Sequence, residues 1–366
     1  MKIKIIISVI ITATALLRCP PIDFLISKIG MDDILRVMAI FGASSILAVY
    51  IYKINPWAGA LVFCSAVSYI YPIYSLYSNL SLFTVTLYAA VYYVLVRDKI
   101  KAEYLINPMA IFAIIHSGFL ILHFNGIFPG IYGNLKPSTT EVIGLMANPN
   151  DAAAALAICL PAVFRKKWCW AIPLIIAGFY CARSTGGVFG GFVASCIFLA
   201  LSDMRFKKEI FAGIAMMIAL FLVFIDRPAA SVRLDTWIVF LDNHFNHTLT
   251  PGIKNQTIFG IGLGNWKFVR QSFGPVNGHM LWTNSHNTFV QGFIEMGFPF
   301  LIIMAGYTYS LLSRIKKTMG IEAAALGAIV TVCMTNSVFH MNAVNGLFVV
   351  LWLVLVEIKL KVGIQR

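Results

Sequence analysis

The feature that most constrains the fold is a succession of about twelve apolar runs, each 15 to 23 residues long, between residues 3 and 358. A helix of about 20 apolar residues crosses the hydrocarbon core of a bilayer. The runs are continuously apolar and lack the alternation of a membrane β-barrel. The chain is 59% hydrophobic and only 12% charged, roughly half the charged fraction of a soluble domain. We therefore predict an all-α polytopic membrane protein with about 12 transmembrane helices.

These runs are expected to form a single integral membrane domain over residues 1–366. The first run follows Lys2 and Lys4, as in a signal peptide, but Arg18–Pro21 stands where a small-residue cleavage site would follow, so we expect an uncleaved span. The predicted spans are 3–17, 34–52, 57–75, 80–96, 107–125, 150–164, 168–182, 185–202, 209–225, 290–312, 320–338 and 343–358.

Basic residues give the predicted orientation, because Lys and Arg are retained in cytoplasmic loops. With the N-terminus inside, 18 of the 28 Lys and Arg residues fall in the inner segments, often as triplets such as Arg165-Lys166-Lys167. Both termini are then cytoplasmic. The same bias explains the net charge of +13, which in a soluble protein would suggest nucleic acid. We predict membrane lipid as the surroundings and no nucleic-acid partner.

Two long loops fall on the outer side, over residues 126–149 and 226–286. The second has about 60 residues, too many for a plain connection between packed helices. It contains aromatic, glycine, Asn and His residues, whereas disordered segments are poor in aromatics. We predict a large structured extracytoplasmic loop that covers a cavity.

Outer arginines are candidates for binding an anion, because the orientation rule disfavours positive charge there. Arg183 joins two spans and is followed by Ser184, Thr185 and two glycines, which suggests a tight turn with backbone N–H groups available for an anion. Arg233 begins the second loop, and Arg270 could supplement it. The guanidinium fork matches a phosphate or diphosphate. The alternative for Arg183 is a side chain that reaches the headgroups. The alternative for Arg233 is a helix cap or an ion pair with Asp235 or Asp226.

His286 precedes a span at the outer surface and is the candidate general base, since a neutral imidazole accepts a proton near neutral pH. Asn287, Gln291 and Glu295 follow at intervals of four. They would form a polar stripe that faces protein or a cavity. The alternative is a purely structural histidine. The other histidines of the loop show no helical His-x-x-x-His pair, so we predict no metal site.

Two further motifs are weaker. Gly260, Gly262 and Gly264 lack the spacing and the βαβ context of a dinucleotide site, and the alternative is a compact turn that packs on a helix. Asn148 and Asn150 open an alanine-rich span. Asn is an ordinary helix N-cap, and a sugar or phosphate contact is the functional alternative.

In their order along the chain, these pieces resemble the O-antigen ligase and polymerase superfamily of bacterial membrane glycosyltransferases. The resemblance covers residues 140–315. It departs from the family pattern at Ala182, where a serine usually precedes the arginine. The motifs that carry it are Asn148-Pro149-Asn150, Arg183 with its small polar neighbours, Arg233 with Trp237, the three glycines, His286-Asn287-x-Phe289 and Glu295-x-Gly297.

The resemblance implies a bacterial cytoplasmic (inner) membrane enzyme that takes a glycan from an undecaprenyl diphosphate-linked donor. Arg183 and Arg233 would hold the diphosphate, and His286 would activate the acceptor hydroxyl. The acceptor would be a glycan, lipid A-core or protein, and no cofactor or metal would be needed. Transport or flipping of a lipid-linked glycan and a non-enzymatic scaffold remain the alternatives. Transporters favour internal repeats, and none is visible in this sequence.

Overall fold

A computed structural model describes residues 33–70, 76–128, 142–146, 148–201, 227–246, 256–266, 269, 285–315, 319–336 and 343–364. Within these residues every regular element is a helix. The prediction of an all-α fold is therefore confirmed for the described part of the chain.

The helices follow the predicted spans closely. Their ends usually lie within a few residues of the expected boundaries, and a short 3-10 turn at Cys169–Ala171 precedes the sixth helix. The helices are α1 (Asp33–Tyr52), α2 (Pro56–Ile70), α3 (Leu76–Arg97), α4 (Ala102–Phe124), α5 (Pro149–Val163), α6 (Ile172–Ala182), α7 (Thr185–Leu201), α8 (Arg227–Phe245), α9 (Gln256–Phe259), α10 (Thr288–Met296), α11 (Phe298–Leu312), α12 (Gly320–Thr335) and α13 (Ala343–Ile364).

The predicted continuous span over 290–312 is wrong. Two helices occupy it, because α10 ends at Met296 and α11 begins at Phe298. Gly297 between them has φ 71°, a conformation that glycine adopts without steric cost. A Cβ at Gly297 would collide with the backbone of Ile258. Pro299 in the first turn of α11 has no N–H to donate to a continuous helix.

The predicted spans 3–17 and 209–225 lie outside the described residues. In the described part, one helical stretch is both long and apolar enough to cross a bilayer, Glu103–Phe124 with 22 residues. Eight further apolar stretches contain 10 to 17 residues. Length and composition alone do not separate a membrane span from the buried helix of a soluble protein. The all-helical fold is thus established, while the number of transmembrane helices stays a prediction.

The chain divides into two compact units. Unit 1 comprises Met1–Cys19, Asp98–Asp226 and Arg314–Arg366, and unit 2 comprises Pro20–Arg97 and Arg227–Ser313. Unit 1 therefore contains α4 to α7, α12 and α13. Unit 2 contains α1 to α3 and α8 to α11.

The centre of unit 1 is α5, which contacts α4, α6, α7, α12 and α13. Every residue of α5 from Asp151 to the end of the helix is buried. Its alanines let neighbouring helices approach closely, as small residues do at helix interfaces. Gly187 of α7 shows how close the approach is, since a Cβ there would collide with Ala153.

Unit 1 has two chemically different ends. At one end Arg165 lies 3.9 Å from Glu103, and Lys359 pairs with Glu322. The other end carries polar side chains around the N-terminus of α5, among them the buried carboxylate of Asp151, and lies about 22 Å away along a 15-residue helix.

Two buried hydrophobic clusters form the core of unit 2, and both contain residues from short and long helices. One buried cluster contains residues of α2, α3, the glycine-rich turn and α10 to α11: Ala66, Leu82, Leu263, Met296 and Phe300. A second cluster joins α8 to the same turn and to α10: Phe240, Ile261, Trp266, Val269 and Ile294. The segment 226–286, predicted as a structured loop, thus includes a 19-residue helix, α8, that packs on α10.

Candidate functional site

His286 lies in a short loop directly before α10, in unit 2. Its φ of 50° is left-handed, which residues other than glycine rarely adopt. Asn287 caps α10, and its side-chain oxygen accepts hydrogen bonds from the N–H groups of Phe289 and Val290 at 2.9 and 3.1 Å. His286 and Asn287 are both buried. The imidazole is therefore held by a defined turn at a helix start.

Two neighbours fix this turn. The Ser285 hydroxyl accepts from the Asn287 N–H at 3.0 Å and donates to the Asn287 carbonyl, which closes the backbone around His286. The indole N–H of Trp237 in α8 donates to the Ser285 carbonyl. Trp237 follows Arg233 by four residues, so both lie on one face of α8. That face is consequently tied to the histidine loop.

The predicted polar stripe on α10 is buried in protein, as expected. Gln291 donates to Glu295 at 3.1 Å, and Glu295 is fully buried. The two Glu295 oxygens also accept from the backbone N–H groups of Gly264 at 3.0 Å and Trp266 at 3.2 Å. The function of Glu295 visible in these contacts is to hold the glycine-rich turn.

The interpretation of the glycines as a compact turn that packs on a helix is confirmed. Gly260, Gly262 and Gly264 all have positive φ. The N–H groups of Ile261 and Gly262 donate to the α10 carbonyls of Ile294 and Glu295 at 3.0 and 2.9 Å. A Cβ at Gly260 would overlap the Glu295 backbone. The glycines are needed because the turn lies directly against α10.

Arg233 and His286 interact electrostatically. Burial, and second the positive charge of Arg233, lower the pKa of His286 from 6.5 to about 3. The imidazole is therefore neutral at physiological pH, the form that a general base requires. Its basicity is weaker than the sequence pattern suggested, since a general base works best with a pKa near the operating pH. We name Arg233, Trp237, Ser285, His286 and Glu295 the histidine cluster.

The other predicted residues lie in unit 1, at the N-terminus of α5. The interpretation of Asn148 as an N-cap is confirmed, because its side-chain oxygen accepts from the Asp151 N–H at 2.9 Å. The hydroxyl of Ser184 donates to the Asn150 side chain at 2.8 Å. Asn148 and Asn150 thus have structural partners, and Asn150 links α5 to the residue next to Arg183.

Arg183 occupies the junction of α6 and α7 with φ 50° and ψ 34°, the second left-handed non-glycine candidate. The predicted tight turn is present at this junction. Only Arg183 and Ser184 separate the helices, and the glycines that follow belong to α7, where Gly187 serves close packing. The Arg183 guanidinium lies 5.4 Å from the centre of the Phe124 ring, a cation–π contact.

Three residues of this region were not singled out from the sequence. Asp151 is buried, and its carboxylate accepts from the side-chain amides of Asn148 and, at 3.1 Å, of Asn336 at the end of α12. Its carbonyl accepts from Asn345 of α13 at 3.1 Å. Polar residues inside apolar runs are the signal that could have found them. We name Asn148, Asn150, Asp151, Ser184, Asn336 and Asn345 the amide cluster.

The structure therefore brings the candidates together in two groups. Arg233, His286, Asn287, Gln291, Glu295 and the three glycines belong to unit 2. Arg183, Asn148 and Asn150 belong to unit 1. Arg270 lies outside the described residues. Comparisons of the chain with protein-family models, curated proteins and solved structures give no match.

Proposed function

We propose that the protein is a multi-pass glycosyltransferase that moves a glycan from an undecaprenyl diphosphate-linked donor to an acceptor hydroxyl at the outer face of a bacterial cytoplasmic membrane. The observation that carries the proposal is the histidine cluster. A neutral, buried histidine in a strained turn is tied through Trp237 to the helix that bears Arg233. Unusual backbone conformations of this kind concentrate at functional sites.

Apolar surface supports the membrane part of the proposal. Helix α11 contains no charged residue and buries only Phe300, Tyr307 and Leu311. Its outward residues include Ile302, which is 63% exposed, and Leu312, which is 57% exposed. Similar exposed apolar side chains lie on α1, α2 and α12. Helices that are apolar on every face are solvated by protein or lipid, and exposed apolar area of this kind marks a membrane or an interface.

The chemistry is a single displacement at the anomeric carbon of the donor sugar. The acceptor oxygen forms the new C–O bond while the bond to the diphosphate breaks, and undecaprenyl diphosphate leaves with the electron pair. His286 takes the proton of the acceptor hydroxyl. Arg233 stabilises the growing charge of the diphosphate by a bidentate, charge-assisted interaction. Detection of a covalent glycosyl-enzyme would contradict this step.

The low pKa of His286 is compatible with this role once the donor binds. A diphosphate beside Arg233 neutralises the charge that contributes to lowering the pKa of the imidazole. Two negative charges near the ring favour its protonated form further. Binding of the donor is therefore expected to raise the basicity of His286 before the proton is transferred.

The assignment of Arg183 to the donor diphosphate rests on the sequence resemblance. Its left-handed backbone and its position at a two-residue junction support a specialised role. Arg270 remains a supplementary candidate on its sequence position. The acceptor is left open between a growing glycan, lipid A-core and protein.

The test is transfer by the purified protein in liposomes that contain the lipid-linked donor and a candidate acceptor, with the product measured by gel and mass spectrometry. His286→Gln and Arg233→Met are each expected to lower the rate of transfer by about 10²-fold or more. Arg165→Met, which removes an arginine at the basic end of unit 1, is the matched control and is expected to retain it. Normal transfer by both His286→Gln and Arg233→Met would exclude the proposed mechanism.

The acceptor is best identified in cells. Loss of the whole glycan ladder from lipid A-core on deletion of the protein indicates a ligase. Retention of one repeat unit on the core indicates a polymerase. Both outcomes agree with the same donor chemistry, because the two reactions differ only in the molecule that supplies the hydroxyl.

A flippase of a lipid-linked glycan is the second candidate, and the interruption at Gly297 favours it. Transporters bind substrates at broken helices with buried polar groups, and α10 carries buried Gln291 and Glu295 just before the break. In liposomes with the donor confined to one leaflet, a flippase moves the donor without forming a glycosidic bond. Donor translocation without product would replace the transferase proposal with this one.

A further inference from the structure

A buried segment without helical structure precedes the amide cluster. Residues 142–146 connect the first long loop to Asn148, and all five are buried although none is helical. Backbone N–H groups in such a place need partners, because an unpaired buried donor is costly. Within the segment, the N–H of Met146 donates to the carbonyl of Ile143 at 2.9 Å, and three further N–H groups have acceptors outside it.

Two histidines of α4 supply the acceptors. Nδ1 of His123 lies 3.3 Å from the N–H groups of both Ile143 and Gly144. Nδ1 of His116 lies 3.4 Å from the Leu145 nitrogen. Three consecutive amides of the segment are therefore bound by histidines two helical turns apart on one face of α4. Both imidazoles are completely or almost completely buried.

The contacts also define the protonation of the two rings. A backbone N–H can only donate, so Nδ1 of each imidazole must be an acceptor, and the proton is on Nε2. In His116, Nε2 then donates to the carbonyl of Ala152 at 3.3 Å. His116 thus holds the segment with one nitrogen and α5 with the other. Gly144 fits against it with φ +53°, and a Cβ there would lie 3.1 Å from the imidazole Cε1.

We propose that His116 and His123 are positioning residues that hold residues 143–145 and thereby set Asn148 and Asn150 at the N-terminus of α5. The inference rests on the proposed function, because it assigns this end of α5 a contact with the sugar or phosphate of the donor. The histidines act through the segment and do not contact the donor themselves. A side chain with an acceptor at the Nδ1 position should therefore replace His123, and an apolar one should not.

Amide hydrogen exchange tests the positioning without requiring activity. In His123→Leu the peptide that contains residues 142–146 is expected to exchange roughly tenfold faster or more, because two buried amides lose their acceptor. His123→Asn places an oxygen near the position of Nδ1 and is expected to restore protection. Leu122→Ala, on the exposed side of the same helical turn, is the control. Unchanged exchange in His123→Leu would overturn the inference.

Kinetics then test the consequence for the reaction. In His123→Leu the KM for the lipid-linked donor is expected to rise about tenfold, with kcat changed about twofold or less, and His123→Asn is expected to recover the KM. Faster exchange with an unchanged donor KM would overturn the positioning role. If the wild-type protein transfers no glycan, the proposed function fails, and the exchange experiment still decides whether the histidines hold the segment.

Discussion

The histidine cluster of unit 2 and the amide cluster of unit 1 begin in the same way. Each lies where a helix is capped by an asparagine side chain, Asn287 in one and Asn148 in the other. Each includes or adjoins a non-glycine residue with left-handed backbone. The described residues contain three of these, and two are His286 and Arg183. Both units therefore hold a candidate side chain on a left-handed backbone, directly before an asparagine-capped helix in unit 2 and at the junction of α6 and α7 in unit 1.

The two clusters differ in what holds them. In the amide cluster, side chains at the ends of long helices bind one another, as Ser184 before α7 does with Asn150 and Asn336 after α12 does with Asp151. In the histidine cluster, side chains bind the backbone of short elements, as Trp237 does with Ser285 and Glu295 with the glycine turn. A helix scaffold distributes support over many contacts, whereas a turn depends on a few bonds. Single substitutions should thus act more strongly on the histidine cluster.

The largest expected difference is in turnover. His286→Gln is expected to lower kcat by about 10²- to 10⁴-fold, the usual contribution of a general base. Asp151→Asn, in the amide cluster, is expected to change turnover per folded molecule by less than about fivefold, because Asp151 is bound by neighbouring amides. Transfer assays in liposomes, normalised to folded protein, measure both. A greater loss for Asp151→Asn than for His286→Gln would reverse the comparison.

The second prediction concerns stability. Glu295→Leu is expected to destabilise the protein by about 3 kcal/mol or more, because the buried N–H groups of Gly264 and Trp266 both lose their acceptor. Ser184→Ala removes only one hydrogen bond, and about 1 kcal/mol is expected. Thermal unfolding in detergent gives the comparison. Equal losses for the two variants would show that the glycine turn does not depend on Glu295.

Sequence reasoning located the helices well because long apolar runs determine their own structure. It failed at Gly297, since an apolar run gives no sign that a glycine packed on Ile258 interrupts the helix. It identified the buried stripe of Asn287, Gln291 and Glu295, because polar residues at helical spacing on an apolar helix must face protein. The backbone partners of Glu295 lie 29 and 31 residues away, which no local pattern specifies.

The sequence predicted which residues form the candidate site. It did not predict their tertiary hydrogen bonds or the pKa of His286. Trp237 contributes a tertiary hydrogen bond to the Ser285 carbonyl, and nothing in the local sequence shows it. The pKa of His286 depends first on burial and then on Arg233, and both are properties of the folded chain. The glycines after Arg183 suggested a turn, although close packing of α7 on α5 explains Gly187.

The third prediction uses the electrostatic coupling in the histidine cluster. Arg233→Met removes a positive charge and is expected to raise the pKa of His286, while burial keeps it below 6.5. The wild-type protein binds the proton of His286 only near pH 3, whereas the unfolded chain binds it near 6.5. His286 therefore does not lower the free energy of unfolding above pH 6.5. Between pH 6.5 and 3 its titration lowers that free energy by about 1.4 kcal/mol per pH unit.

In Arg233→Met that loss should extend over a narrower pH interval, and the acid limb of kcat/KM for transfer should move to higher pH. Melting temperatures measured between about pH 4 and 8 follow the loss of stability, and transfer rates over the same range follow the acid limb. His286→Gln is the control because it removes the titrating group. In its presence, proteins with and without Arg233→Met should show the same pH dependence of melting temperature. If the acid limb of kcat/KM does not move in Arg233→Met, the charge of Arg233 does not influence the pKa of His286.

The smallest expected effect concerns the left-handed residue of unit 1. A non-glycine residue with φ 50° at position 183 costs about 1 to 2 kcal/mol relative to glycine. Arg183→Gly is therefore expected to be more stable than Arg183→Ala by about 1 kcal/mol, since both lose the guanidinium and its contact with Phe124 and only glycine relieves the backbone. Comparison of the two variants cancels the side-chain loss. Equal melting temperatures would show that the junction of α6 and α7 relaxes without cost. Arg183 would then share the left-handed backbone conformation of His286 without storing strain.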